Sequence, residues 1–275
     1  MKVLVIGSDG QLGLEFQKIS NSCDFISWIF STVKTLDLYR LDAINSFLNN
    51  INPSFIINCA AYTSVDKAET ESKLANTINY KAVDLISRWT SDNNTKLIHI
   101  STDYVFDGLC KLPLSENSKT NPVSEYGSSK LKGEIACLKN DPNSIVIRTS
   151  WLYSSFGKNF VKTMIDLMKK NSSVSVVNDQ IGSPTYAYDL ARVILDIIMN
   201  YKSVSGLYHY SNEGEISWFE FARSIKELYN LDCEIIGVSS NEFKTIAKRP
   251  KYSLLNKSKI KKTFNLEIPN YKQSL

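Results

Sequence analysis

The sequence predicts an α/β protein, a doubly wound parallel sheet with a smaller C-terminal lobe. Two observations carry the prediction. Through the first 150 residues, short Val/Ile-rich runs alternate with amphipathic stretches, as in a parallel sheet covered on both faces. Beyond residue 150 the alternation loosens, yet no Gly- or Pro-rich linker separates the halves. The expected division is a dinucleotide-sized sheet domain over 1–150 and a substrate-binding lobe over 151–275. The lobe should pack tightly and return some of its elements to the sheet.

Lys2–Ile6 reads as the first strand and Gln11–Ser20 as the helix after it. Phe25–Phe30 is the second strand, Leu41–Asn50 a helix and Phe55–Cys59 the third strand. Glu71–Ser91 reads as one long helix, Lys96–Ser101 as the fourth strand, Glu125–Lys139 as a helix and Ser144–Thr149 as the fifth strand. In the second half Asn159–Lys170 and Tyr188–Tyr201 are helical and Gly206–Ser211 is a strand. Ser217–Leu228 is a helix with Ser217 placed to cap it, and Asn241–Tyr252 is rich in loop.

The first strand runs into Gly7-Ser8-Asp9-Gly10-Gln11-Leu12-Gly13, which opens the first helix. Gly7 permits a tight turn, Gly10 lets the backbone approach a pyrophosphate, and Gly13 allows close helix–sheet packing. Together with the positive end of the helix this is a Rossmann-like dinucleotide site. An acidic residue that would hold a ribose 2′-hydroxyl is expected at the end of the second strand. That stretch reads Phe30-Ser31-Thr32-Val33-Lys34, without a carboxylate, so NADPH is favoured and NADH remains open. Lys34 is either a phosphate partner or a surface lysine. Asp37, beside Leu38, either accepts from the adenine amino group or caps the next helix.

Tyr126 and Lys130, in Tyr126-Gly127-Ser128-Ser129-Lys130, share one face of a helix a turn apart. A phenol titrating near pH 10 becomes a usable acid when an ammonium stabilises its phenolate, which suits protonation of a carbonyl oxygen as hydride reaches its carbon. The fourth strand ends in Ser101-Thr102-Asp103-Tyr104, at the carboxyl edge where open α/β sheets bind ligands, and Thr102 there completes a donor set. The third strand ends in Asn58-Cys59-Ala60-Ala61-Tyr62, whose small residues leave room for a flat ring. Cys59 has no histidine near it in sequence and reads as packing rather than as a nucleophile.

Composition excludes several other classes. Five cysteines without paired spacing, and only two histidines, argue against a disulfide framework or a zinc centre. A net charge of +4 with no long basic run offers no nucleic-acid arm. No stretch approaches the ~20 apolar residues of a membrane span, and the apolar start, Val3 to Gly7, is too short for a signal peptide. A cytoplasmic protein is expected.

These motifs together resemble the extended short-chain dehydrogenase/reductase superfamily and, within it, the dTDP-4-dehydrorhamnose reductase family. The resemblance extends through Arg148-Thr149-Ser150-Trp151-Leu152-Tyr153, the Asn159–Met164 stretch, NDQIGSPTYAYDLA at 178–191, GLYHYSNEG at 206–214 and Arg249-Pro250-Lys251-Tyr252-Ser253. It implies that Tyr126 protonates the 4-keto oxygen of a dTDP-linked sugar, that Lys130 tunes the tyrosine and binds the nicotinamide ribose, and that Thr102 orients the carbonyl. Cofactor contacts are implied for Gly7, Asp9, Gly10, Gln11, Leu12, Gly13, Asp37, Leu38, Ala60, Ala61 and Tyr62. Substrate contacts are implied for Thr102, Asp103, Tyr104, Trp151, Asn159 and Arg249, although Trp151 reads also as core and Arg249 as an ion-pair partner. The product would be dTDP-L-rhamnose, with another keto sugar or a non-catalytic regulatory role as alternatives. Some members hold Mg²⁺ between subunits. Glu15 matches one such position, but the set is incomplete and no metal is expected. A homodimer is compatible with the resemblance.

Overall fold

The computed structural model describes residues 1–201 and 203–275. Its centre is a six-stranded parallel sheet in which β1 (Lys2–Ile6), β2 (Ser27–Ser31), β3 (Phe55–Asn58), β4 (Lys96–Thr102) and β5 (Ile145–Thr149) alternate with helices. These helices are α1 (Gln11–Ser20), α2 (Leu41–Ile51), the short α3 (Val65–Ala68) and α4 (Ser72–Asn76), then α5 (Ala82–Asp92) and α6 (Glu125–Asn140). The small lobe adds β6 (Leu152–Tyr153), α7 (Phe160–Lys170), β7 (Ser173–Val177), β8 (Ile181–Gly182), β9 (Thr185–Tyr186) and α8 (Ala187–Asn200). It continues through β10 (Gly206–His209), β11 (Ile216–Ser217), α9 (Trp218–Leu228), β12 (Glu234–Val238), α10 (Ser258–Phe264) and α11 (Tyr271–Ser274).

The sheet order is β10-β5-β4-β3-β1-β2, so a strand from beyond residue 200 forms one edge of the central sheet. Alternation along each strand splits its side chains between two cores. Val3, Val5, Ile57, Ile98 and Ile147 face α1 and α8, whereas Leu4, Ile6, Ile56, Leu97 and Val146 face α2, α5 and α6. A third core lies wholly in the lobe, where Met164 and Met168 of α7 meet Phe221 and Ile225 of α9. Ser217 caps α9, and Glu220 returns the bond to the Ser217 N–H at 2.7 Å.

Three departures from the sequence reading have physical causes. The second strand starts at Ser27, because the chain turns at Cys23–Ile26 and pairs Ser27 with Lys2, which leaves Phe25 exposed. The expected helix over Glu71–Ser91 is interrupted by a π-helical turn, Thr77–Lys81. The strands β7 and β12 were not foreseen; they pair in parallel with each other and are half-exposed, so neither shows a clean apolar run. Among the described residues, no helix is long and apolar enough to cross a membrane.

Candidate active site

At the carboxyl ends of the sheet strands lies a cleft of about 700 Å³. Its floor is the glycine turn. Gly7 has φ +78° and donates from its N–H to Ser31 O at 2.9 Å, a backbone state that side chains rarely adopt. A Cβ at Gly13 would lie 2.4 Å from Gly7 O, so only glycine lets α1 start this close to the turn. No side chain caps α1 at Gly10, which leaves its first-turn N–H groups for an anion in the cleft that Gly10, Gln11, Leu12 and Gly13 line. This uncapped helix end below a roomy cleft fits a dinucleotide pyrophosphate. Asp9, Asp37, Leu38, Ala60 and Ala61 line the same space. Tyr62 does not; its hydroxyl donates outward to Glu71 at 2.6 Å. Lys34 is exposed, while its neighbour Val33 reaches the cleft.

Above the floor, Thr102, Asp103, Tyr104, Tyr126 and Lys130 all line the cleft. Thr102 caps the 3-10 turn that ends β4, accepting from Tyr104 N–H at 3.2 Å. Tyr126 comes from the first turn of α6, whose N-cap Ser124 accepts from Gly127 N–H at 3.1 Å. Burial pushes the Tyr126 phenol above its ordinary range, against the pull of the Thr102 hydroxyl beside it. The phenol is therefore fully protonated at neutral pH. Lys130 is 2% exposed and donates to Ile100 O at 2.5 Å. Burial brings its ammonium down to about 8. Among the described residues no hydrogen bond joins the Tyr126 hydroxyl to Lys130; the lysine donates instead to Ile100 O and lies 3.4 Å from His99 Nε2.

Asp103 is buried, with Ser253 donating to Oδ2 at 2.6 Å and Thr102 to Oδ1 at 3.2 Å. Tyr104 meets the Tyr126 ring edge-on at 5.5 Å, and burial raises its hydroxyl to about 12. Trp151 lines the cleft from the end of β5 with φ +48°, its indole stacked on Trp218 at 3.7 Å. Asn159 also lines it, but its polar atoms are engaged in packing: Oδ1 caps α7 at Lys162 N, and Nδ2 donates to Gln11 Oε1 at 3.0 Å and to Ser154 O at 2.7 Å. Arg249 lies outside the lining residues, with Nη2 on Asp66 at 3.1 Å and a buried Nε that has no partner. Glu15 is buried beneath the lobe and accepts from Ser154 at 2.6 Å. Among the described residues no group of three metal-ligating side chains gathers.

The sequence reading passed over the polar layer beneath Lys130. Asn58 and His99 are buried neighbours, and Glu134 pairs with the buried Arg148. A signal was present: His99 and Ser101 fall on one face of β4 next to the apolar Leu97, Ile98 and Ile100.

Comparison with known proteins extends the likeness over the whole chain. The model of the family described as RmlD substrate binding domain matches residues 1–275. The dTDP-4-dehydrorhamnose reductase of Aggregatibacter actinomycetemcomitans is 35% identical over 285 residues, covering 100% of this chain and 97% of that protein. The crystal structure of a dTDP-4-dehydrorhamnose reductase from Clostridium acetobutylicum superposes with a TM-score of 0.95 at 40% identity, covering 100% of this chain and 96% of the other. That of Bacillus anthracis, in complex with NADP, gives a TM-score of 0.94 at 39% identity, covering 99% and 96%. Matched from end to end in sequence and in fold, this chain belongs to the RmlD substrate binding domain family, alongside dTDP-4-dehydrorhamnose reductases.

Proposed function

We propose that the chain is an NADPH-dependent oxidoreductase that reduces the 4-keto group of a dTDP-linked 6-deoxy sugar, dTDP-4-dehydro-L-rhamnose giving dTDP-L-rhamnose. The observation that carries this reading is the convergence of Thr102, Tyr126 and Lys130 on one cleft directly above the glycine turn. When bound, a reduced nicotinamide supplies the hydride that reaches the carbonyl carbon. The chain's own residues do the rest. Thr102 and the Tyr126 phenol orient the ketone oxygen, and Tyr126 transfers its proton to that oxygen as charge builds there. A buried phenol that stays protonated at neutral pH is the form this direction of reaction needs. Lys130, whose ammonium burial brings down to about 8, returns a proton to the phenolate through water in the cleft.

NADPH is favoured over NADH by the end of the second strand and the turn after it, Ser31, Thr32 and Val33, which hold no carboxylate to repel a 2′-phosphate. Trp151 and Tyr104 line the cleft and offer flat walls to the sugar, whereas Arg249 is held on Asp66 outside that lining. The test is loss of NADPH absorbance with the dTDP-4-keto sugar. Tyr126→Phe is expected to lower kcat by about 10²–10⁴-fold with an unchanged circular dichroism spectrum; an unchanged rate sinks the mechanism.

A further inference from the structure

Beneath the cleft, a chain of buried polar groups runs from the backbone to Lys130, and its other members have no part in the reaction described above. Asn58 at the end of β3 is paired in register with His99 on β4, and both are buried. Asn58 Oδ1 accepts from Ala60 N–H at 3.2 Å. A backbone N–H can only donate, so this bond fixes the carboxamide and turns its NH₂ toward His99 Nδ1, 3.2 Å away. Nδ1 must then accept. Burial keeps the imidazole neutral, with nearby Lys130 adding to the effect, so its one proton sits on Nε2. Nε2 faces Lys130 Nζ at 3.4 Å. Against an ammonium, that N–H sets two donors head to head; against a neutral amine it meets a lone pair. Ile100 O receives a lysine N–H in either state.

We propose that His99 is a positioning residue whose Nε2–H, aimed at Lys130 by Asn58 and Ala60, makes the lysine proton easy to release. The other ionisable groups acting on Lys130 are Glu134 and Cys137 on its own helix and Cys59 at the end of β3. Glu134 favours the ammonium, but its carboxylate is already taken by Arg148 and Ser101. The kinetic consequence rests on the reduction proposed above. When Tyr126 has given its proton to the ketone, a water in the cleft gives a proton to the phenolate and takes one from Lys130, so the Tyr126 O–H bond re-forms as one Lys130 N–H bond breaks. The amine lone pair so uncovered accepts from His99 Nε2–H, and water in the cleft later returns a proton to the lysine.

The tautomer can be read on the unmodified protein without substrate, by long-range ¹H–¹⁵N correlation after ¹⁵N-histidine labelling. With only two histidines the spectrum assigns itself once His99→Gln removes one set of signals. His209 is an internal control of the opposite kind, since its Nδ1 faces Leu114 O at 3.0 Å and its Nε2 faces Arg148 Nη1 at 3.3 Å. One Nε2–H and one Nδ1–H histidine are expected; an Nδ1–H tautomer or an imidazolium at His99 overturns the inference. The second arm is the pH profile. The carboxamide introduced by His99→Gln would offer Lys130 an oxygen, so the alkaline limb of kcat/KM should move up by about one pH unit. A limb that does not move overturns the kinetic half. The expected tautomer in a protein that reduces no dTDP-4-keto sugar would refute the substrate assignment and leave the His99–Lys130 contact standing.

Discussion

Both carboxylate oxygens of Asp103 are occupied, one by Ser253 and one by Thr102, yet burial still outweighs these bonds and lifts the carboxyl from 3.8 to about 6. Because the folded-state value is raised, the folded protein binds the proton more tightly than the unfolded chain. The stabilising contribution is therefore complete below about pH 3.8 and is lost as pH rises through about 6. Its size is on the order of 2–3 kcal/mol. Asp103→Asn does not titrate, so its unfolding temperature relative to the parent protein should climb between pH 4 and pH 7; a constant difference across that range would show the carboxyl is not strained. At this scale Tyr126 and Lys130 were legible from helical spacing, and Thr102 from its place at the carboxyl end of the fourth strand. Their support was not. Ser253 lies 150 residues from Asp103 along the chain, and no local pattern announces that contact. That the Lys130 ammonium donates to Ile100 O rather than to the Tyr126 phenol is a choice made by tertiary packing, which helical spacing does not reveal.

The π turn at Thr77–Lys81 shows what one irregular element does for the site. It presents Asn79 to the segment after β3, where Oδ1 accepts from Tyr62 N–H at 2.8 Å and Nδ2 donates to Tyr62 O at 3.1 Å. The same Nδ2 donates to Ser129 Oγ on α6 at 2.9 Å. One side chain thus ties the Ala60–Ala61 wall of the cleft to the helix that carries Tyr126 and Lys130. Asn79→Leu keeps the branched shape but leaves the Tyr62 N–H unpaired, at a cost of about 1–3 kcal/mol. If half of that falls on the cofactor wall, NADPH binding should weaken roughly tenfold or less, measurable by fluorescence titration; undiminished affinity would show that the wall stands without Asn79. The helix was legible from its apolar period, but one extra residue in a turn hardly disturbs that period. The small strands β7 and β12 were hidden for a different reason, being too short and too exposed to alternate clearly.

Across the whole molecule, the cleft is bounded by parts of the chain that meet only in the fold. Asn159 reaches Gln11, Ser154 reaches Glu15, Ser253 reaches Asp103 and Arg249 reaches Asp66. A ligand that bridges these parts binds the native state alone and stabilises it by mass action. At a hundred times its Kd, NADPH should add about 2.7 kcal/mol, which for a chain of this size raises Tm by roughly 5 °C. Calorimetry with NADPH and with NADH checks both the effect and the proposed preference; a larger rise with NADH would reverse that preference. The sheet itself was readable from sequence because strand–helix alternation is local. That β10 closes its edge beside β5 was foreseeable only as a general return of the lobe, since the two strands are far apart along the chain.

Among the described residues, Trp151 is the one position with positive φ that is neither glycine nor asparagine. An indole in that left-handed state carries a conformational cost of about 1–2 kcal/mol, offset by its face-to-face contact with Trp218. A smaller side chain there would inherit the awkward turn and forfeit its compensation, while glycine would ease the turn and leave a hole in the wall. The aromatic surface that Trp151 presents to the cleft is thus locked in by the same bend that makes it uncomfortable.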